Sequence, residues 1–242
     1  GGVTGELHPN LFKPLVNLTS PTYMFSGCTG ITGGVPQGFF SNCTKLQDVN
    51  NMFSGCSGMD GAIYDDLFEN CPQLSSVAAM FANCNLTCRI PTNLFKNNLK
   101  LSTCDSMFSG NRNLYGELPA TLFRGQGNDR RYPNLTNVAS FVANCPNLTG
   151  AFPQNFFINC PNISNATSLF KGCTNITGDI PSDILQPCKN AILTVDYMFA
   201  DTGASGGFPR GIFAGCRNIS NVSGFFRNSK ITDSIPSDLL AD

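Results

Sequence analysis

Twelve cysteines are the side chains with the most evident chemistry in this 242-residue sequence. Eight of them form pairs whose partners lie 15 residues apart: Cys28–Cys43, Cys56–Cys71, Cys145–Cys160 and Cys173–Cys188. Where Asn111 replaces the first cysteine of such a pair, the second is missing too. A disulfide explains this coincidence, because a single orphan thiol is a liability. The spacing therefore predicts four disulfide bridges and export to an oxidising compartment.

A ladder of buried, reduced thiols is the alternative interpretation. The other four cysteines, Cys84, Cys88, Cys104 and Cys216, do not follow the spacing. Cys88 and Cys104, which lie near Cys84, could supply a substitute bridge, and Cys216 is expected to be unpaired or bonded outside the chain. Zinc is disfavoured, because the sequence has no C-x-x-C pair and no histidine near its cysteines. No metal and no cofactor is predicted.

Catalysis is not predicted either. The only local cluster of acids, Asp65, Asp66 and Glu69, is typical of a solvated turn. The chain contains no G-x-S-x-G, H-E-x-x-H or phosphate-binding glycine motif. With 15 basic and 16 acidic residues, the net charge of −1 provides no general attraction to nucleic acid. No apolar run approaches the roughly 18–20 residues that a membrane span needs.

Sequons for N-glycosylation are more frequent than composition alone predicts, because the triplet N-L-T or N-I-S recurs. They lie at Asn17, Asn42, Asn85, Asn134, Asn147, Asn162, Asn165, Asn175, Asn218 and Asn221. Most of these asparagines precede an inward-pointing residue, so they are expected to face solvent. Several are expected to be modified if the source is a eukaryote, whereas in a bacterium they need have no meaning.

A repeat in the sequence determines where all these residues lie. A marker phenylalanine recurs at intervals of 27–29 residues, apart from one interval of 33. It lies at Phe25, Phe53, Phe81, Phe108, Phe141, Phe170, Phe199 and Phe226. One unit reads approximately L-T-G-x-I-P-x-x-L-F-x-N-C-x-x-L-x-x-V-x-x-M-F-x-G-C-x-x. Because one unit cannot bury its own apolar face, about eight units of 28 residues are predicted to stack into a solenoid with one continuous core.

Each unit predicts a short strand followed by short helical segments. In ITGGVP, Ile31 and Val35 are expected to point inward, and the proline ends the strand. Between the phenylalanines, apolar residues recur at spacings of three and four, as on one face of a helix or of successive helical turns. The predicted fold class is α/β, with short parallel strands and short helical segments.

The MFSGC and LFENC boxes, alternating with ITGGVP-type strands, resemble the BspA-like leucine-rich repeats of surface proteins from bacteria and some protists. The LTGxIP segment also resembles the strand-following motif of plant-type leucine-rich repeats. The similarity covers essentially the whole chain. It implies a leucine-rich-repeat solenoid in an exported protein used for adhesion, recognition or surface structure.

The outward strand positions predict two rows along the array. Row 1 is Thr4, Thr32, Asp60, Thr87, Tyr115, Thr149, Thr177, Ser205 and Thr232, and row 2 is Glu6, Gly34, Ala62, Arg89, Glu117, Ala151, Asp179, Gly207 and Ser234. Row 1 is either a structural feature that solenoids commonly have or a flat binding face for glycans. A narrower option is a face that binds ice.

Residues 124–132 form the one insertion and predict a loop. The candidate binding-face residues are Arg89, Tyr115, Glu117, Arg124, Arg130 and Arg131.

Residues 1–242 are predicted to be a single solenoid and part of a longer array, since neither end breaks the pattern as a capping unit would. The predicted function is a non-enzymatic module at the cell surface or in the extracellular space. Its partner is expected to be a protein or a glycan on a surface. Two alternatives stay open: a structural subunit that assembles end to end with copies of itself into a fibre, and a host-recognition fibre of a virus or phage.

Overall fold

The computed structural model describes residues 2–125, 131–237 and 239. Within this part of the chain, seven short strands pair exclusively in parallel: β1 (Thr4–Glu6), β2 (Gly30–Thr32), β3 (Gly116–Glu117), β4 (Leu148–Ala151), β5 (Ile176–Gly178), β6 (Gly203–Gly206) and β7 (Lys230–Ile231). Strands β1 and β2 form one sheet, and β3 to β7 form a second in chain order. Each coil therefore packs on the next one in the sequence, which confirms the predicted solenoid.

A second ladder joins the coils at the segment that precedes each Met-Phe box. Single parallel bridges connect Asp48, Ser76, Thr103, Asn137, Asn165, Thr194 and Asn221 in succession. After each bridge, alternate N–H groups donate to carbonyls of the following coil. The N–H of Asn51 donates to Ala78 at 2.8 Å, and that of Phe53 donates to Met80 at 3.0 Å. The backbone polar groups of one coil are thus satisfied by its neighbour.

The predicted helical segments are turns in the structure. Among the described residues, the one helix is a 3₁₀ turn, Gln186–Cys188. The physical reason is a left-handed residue on each side of the Met-Phe box, as at Asn51 (φ 55°) and Gly55 (φ 75°). An α-helix needs a φ of about −63°, and its N–H groups must bond four residues back. Here they bond to the next coil, so the three- and four-residue spacing reflects successive turns.

The core consists of two phenylalanine stacks that run along the array. Phe25, Phe53, Phe81 and Phe108 form the first, with successive ring centroids 5.5, 5.7 and 5.9 Å apart. Phe40, Phe68, Phe95 and Phe123 form the second, with separations of 6.0, 6.2 and 5.9 Å. The rings within each stack are within 10° of parallel. Seven of the eight marker phenylalanines therefore share one continuous apolar core, and Phe226 is partly buried against it.

Replacing Phe53 by alanine should destabilise the chain by about 3–5 kcal/mol, because it removes a fully buried ring between two stacked neighbours. Urea unfolding followed by circular dichroism measures this loss. Met24→Ala is the matched control, since Met24 is 51% exposed, and it should change the free energy of unfolding by less than about 1 kcal/mol. Equal effects of the two substitutions would contradict the stacked core.

Candidate ligand-binding face

The strand ladder exposes both predicted rows, but not as two separate ladders. Neighbouring strands are offset by two residues relative to the sequence repeat, so a row 2 residue pairs with the row 1 residue of the next coil. Glu6 pairs with Thr32, and Glu117 pairs with Thr149. Successive members of row 1, such as Thr4 and Thr32, are therefore not direct pairing partners. The sequence repeat aligns equivalent residues, and it contains no information on the offset between strands.

In most coils the offset places the row 2 side chain beside a glycine of the next coil. A Cβ atom on Gly150 would lie 2.6 Å from Cγ of Glu117, and one on Gly206 would lie 1.9 Å from Oδ1 of Asp179. Both glycines also have a positive φ, +87° and +83°. The glycine of the T-G-x-I-P motif thus serves two purposes: it adopts the left-handed backbone and leaves space for the charged side chain of the preceding coil.

Three of the predicted binding-face residues lie together on this face. The Arg89 guanidinium lies over the Tyr115 ring, 5.9 Å from its centroid. Glu117 is two residues from Tyr115 and is exposed in strand β3. Arg124 and Arg131 are exposed on either side of residues 126–130, and no contact joins them to Arg89 within the described part of the chain. Arg130 lies outside the described residues.

A second polar face, which the sequence interpretation missed, surrounds the bridge ladder. Small hydroxyl, amide and carboxylate side chains link successive coils there. The Oδ1 atom of Asn50 accepts from the N–H of Ala78 at 2.7 Å, and the hydroxyls of Thr167 and Thr194 lie 3.1 Å apart. The available signal was the repeated Ser, Thr and Asn before each Met-Phe box, which had been assigned to helical turns. These contacts connect coils, so the face is in part a structural seam.

The four predicted disulfides are absent, and all twelve cysteines are free thiols. The two cysteines of each predicted pair belong to different ladders. Cys56 lies beside Cys28 of the preceding coil, and Cys71 lies beside Cys43. Equivalent cysteines of successive coils therefore lie next to each other, whereas Cys28 and Cys43, a predicted pair, face different neighbours. Without disulfide bridges, the cysteines no longer support the prediction that the chain occupies an oxidising compartment.

The coincident cysteine losses have another explanation, namely that each cysteine position holds a hydrogen-bond donor. The thiols of Cys56 and Cys84 donate to the carbonyls of Phe25 and Phe53 in the preceding coil at 3.0 and 3.1 Å. Four residues that replace a cysteine in the interior of the array are also donors to a backbone carbonyl. These residues are Asn98, Asn111, Tyr132 and Thr202. Tyr132 donates to Phe95 at 2.6 Å from the end of the insertion.

Burial keeps these thiols protonated. It raises the pKa of Cys56 from 9.0 to about 11 and the pKa of Cys71, Cys84, Cys173 and Cys188 to about 12. Burial likewise raises the pKa of Cys104, Cys145 and Cys160 above its ordinary range. Because the thiolate is the nucleophile, these cysteines are chemically inert. They contribute packing and hydrogen bonds.

The remaining candidate groups have structural partners. Asp65 and Asp66 accept from backbone N–H groups of Asn93 and Gly38 in adjoining coils, at 2.8 and 2.9 Å. Glu69 forms an ion pair with Lys96 at 2.8 Å. In residues 2–125, 131–237 and 239 no group of three or more His, Cys, Asp or Glu side chains could hold a metal ion. The described chain also has no helix of the length and apolar character that crosses a membrane.

Eight of the ten sequon asparagines are exposed, and Asn85 and Asn165 are half-buried. Asn147 and Asn175 lie just before strand residues, at the edge of the strand face. Asn165 differs from them because it belongs to the bridge ladder and its Oδ1 atom accepts from the N–H of Thr167 at 3.0 Å. The sequons thus occupy sites of different accessibility.

No protein-family model matches the chain, and no curated protein matches it. Solved structures do. A TDR receptor is 21% identical over 97% of this chain, with a TM-score of 0.59. The ectodomain of the Arabidopsis receptor kinase HAESA, in complex with an N-terminally extended IDA peptide hormone, is 19% identical over 98%, with a TM-score of 0.57. That of GASSHO1/SCHENGEN3 from Arabidopsis thaliana, in complex with CASPARIAN STRIP INTEGRITY FACTOR 2, is 18% identical over 94%, with a TM-score of 0.55.

The chain spans 39%, 34% and 29% of those three chains, respectively. At this level of identity the similarity concerns the fold, which is that of a leucine-rich-repeat solenoid. The leucine-rich-repeat part of the predicted resemblance is confirmed at the level of fold.

Gly150→Ala should destabilise the chain more than Gly178→Ala. Both residues have nearly the same positive φ, +87° and +85°, but a Cβ on Gly178 meets nothing within 4 Å. Gly178→Ala should therefore cost only the backbone strain of about 1–2 kcal/mol, measured by urea unfolding. Combining Gly150→Ala with Glu117→Ala should bring the cost down to that level. If the two single variants are equally stable, the space beside Glu117 has no energetic role.

Native protein treated with iodoacetamide at pH 8 should be labelled first at Cys28, the one cysteine that is not fully buried. Unfolded protein should expose twelve reactive thiols. Because the buried thiols keep their protons to a higher pH than unfolded thiols, the contribution of the thiols to the free energy of unfolding should be constant well below pH 9. Above pH 9 it should fall by on the order of 1 kcal/mol per thiol for each pH unit. Thiols that resist labelling even after unfolding would restore the disulfide hypothesis.

Proposed function

We propose that this chain is a non-enzymatic binding scaffold of the cell surface or extracellular space, and that it binds a protein or peptide along its strand face. The principal support is the row of exposed, chemically varied side chains of row 2, held at equivalent positions of successive coils. Glu6, Arg89, Glu117 and Asp179 occupy equivalent positions in different coils and are all exposed. Such variation on a rigid surface is typical of recognition.

The structural neighbours agree with this proposal. The HAESA structure is that of an ectodomain with a peptide hormone bound, and another HAESA structure includes the co-receptor SERK1. Receptor ectodomains are binding scaffolds, so a non-enzymatic, extracellular role fits the shared fold. A BspA-like adhesion role and binding of a surface glycan remain finer possibilities within the same proposal.

Engineered glycans can test which face binds. Thr177→Asn combined with Asp179→Thr moves the sequon of Asn175 to position 177 on the strand face, and Thr177→Ala, which only removes the Asn175 sequon, is its control. Gln73→Asn creates a sequon in the row that already holds Asn134 and Asn162. Secreted protein would be screened against displayed peptide libraries and a glycan array. We expect a glycan at position 177 to abolish capture of the selected ligand and a glycan at position 73 to leave it intact. Capture that survives both glycans would contradict a strand-face site.

Produced in a eukaryotic secretory pathway, the chain should carry glycans at Asn147 and Asn175 and none at Asn165. The first two side chains are exposed, whereas Asn165 is half-buried in the bridge ladder. Glycopeptide mass spectrometry after enzymatic deglycosylation in heavy-oxygen water reports the occupancy of each asparagine. Full occupancy of Asn165 would show that the bridge ladder opens during synthesis, contrary to the stacked structure.

A further inference from the structure

Row 2 is interrupted over two coils. Glu6 and Arg89 extend from the first and fourth coils, but the positions between them are Gly34 and Ala62. At about 4.8 Å per strand, the interruption is roughly 14 Å long. The backbones approach closely here, because a Cβ on Gly34 would lie 2.1 Å from the carbonyl oxygen of Ala62. No larger side chain fits at Gly34, so the gap is built into the packing of the coils.

A surface cavity of about 430 Å³ occupies this gap. We call it the glycine groove, and its floor is Gly33, Gly34, Gly61 and Ala62. Glu6 lies at one end, and Gln37 and Tyr64 form a wall. The volume lies within the range of ligand sites, roughly 300–1,000 Å³. The floor is mostly backbone, which lets a ligand chain approach without meeting side chains.

The chemistry of the groove favours a positive charge. Glu6 is exposed, and Asp60 lies next to the floor, where its carboxylate accepts from the N–H of Gly33 at 3.1 Å. None of the described residues that line the groove is basic. Tyr64 is 41% exposed, so its ring can stack against a ligand. A carboxylate beside an accessible aromatic ring is a favourable site for a guanidinium or ammonium group.

The strand face already contains a contact between a cation and an aromatic ring, made by residues of the chain. The Arg89 guanidinium lies over the Tyr115 ring, and its stem covers Gly116, where a Cβ would lie 3.2 Å from Cγ of Arg89. In the glycine groove the backbone of Gly33 and Gly34 covers the corresponding glycine, Gly61, so no side chain projects over this part of the face. The pair shows that an arginine can rest against a tyrosine ring on this face, which is the contact that Tyr64 offers to a ligand.

We propose that the glycine groove binds an extended peptide through an arginine or lysine side chain, with the cation between Glu6 and Tyr64. This inference rests on the proposed function and specifies the ligand class and the position of the site. The glycine floor accommodates the backbone or the aliphatic stem of the ligand residue. The carboxylate and the aromatic ring then select for positive charge.

Binding of three acetylated and amidated octapeptides tests the proposal by isothermal titration calorimetry. The peptides are Gly-Ser sequences with a central arginine, citrulline or glutamate. Citrulline keeps the shape of arginine and removes the charge. We expect the arginine peptide to bind, the citrulline peptide to bind about tenfold more weakly, and the glutamate peptide not to bind. Raising the salt concentration should weaken only the arginine peptide.

Variants locate the site. Glu6→Gln and Tyr64→Ala should each weaken the arginine peptide about five- to tenfold, and Tyr64→Phe should not. Ala62→Lys should abolish binding by filling and charging the groove. Asp179→Asn is the matched control, because it removes a row 2 carboxylate outside the groove, and it should bind normally. Thermal unfolding of each variant confirms that it folds.

Two outcomes would overturn the proposal. One is equal binding of the arginine and citrulline peptides. The other is binding of a neutral oligosaccharide such as chitotriose that Tyr64→Ala removes, which would make the groove a sugar site. A further result would separate the two proposals. If the groove variants still bind a library-selected ligand, and a glycan at position 177 prevents that binding, the proposed function stands and the groove is not the site.

Discussion

Each coil of this chain depends on its neighbours for polar as well as apolar contacts. In the segment after each bridge, residues such as Asn51 take a left-handed conformation and turn their N–H groups toward the next coil. The same segment contributes a phenylalanine to a stack whose rings are 5.5–5.9 Å apart along its first four members. A coil on its own would leave both unpaired donors and an exposed ring. Stacking therefore satisfies hydrogen bonds and buries apolar surface in a single step, which makes the stability of the array a nearest-neighbour property.

The cysteine positions follow from this constraint. The N–H groups of a coil donate to the following coil, but its phenylalanine carbonyls still need a donor from that coil. The Phe25 carbonyl, for example, accepts from the Cys56 thiol. A thiol is small, tolerates burial and donates weakly, and an amide or hydroxyl can replace it where the local space differs. Asn111 donates to Phe81 of the preceding coil, and Tyr132 reaches the carbonyl of Phe95 from the insertion. Thr202 donates instead to Phe199 of its own coil. Loss of cysteine at two positions thus reflects two independent donor replacements and needs no covalent bond between them.

The sequence was sufficient to predict the solenoid, its parallel strands and the shared phenylalanine core, because a period of about 28 residues and a fixed apolar pattern have few other solutions. It also located Arg89, Tyr115 and Glu117 on one face. It could not provide the two-residue offset between strands, since a repeat aligns equivalent positions whatever their pairing. The prediction of helical segments was wrong for a related reason. Helices and successive turns share the three- and four-residue spacing of apolar side chains. Only the φ of residues such as Asn51 distinguishes the two structures. The disulfide prediction failed because equal spacing along the chain does not bring two positions to the same side of a coil.

The offset also explains how one backbone can present different surfaces. Because a row 2 side chain lies over the glycine of the next coil, its size affects neither the core nor the ladder. Glutamate over Gly150, arginine over Gly116 and aspartate over Gly206 are accommodated by the same left-handed backbone. Gly34 is an exception, because no larger side chain fits there, and it leaves an open groove where its neighbours present charge. Inward positions, in contrast, must fit rings on both sides and admit little change. Recognition can therefore vary along row 2 with little effect on folding, whereas substitutions of the glycines beneath it affect both.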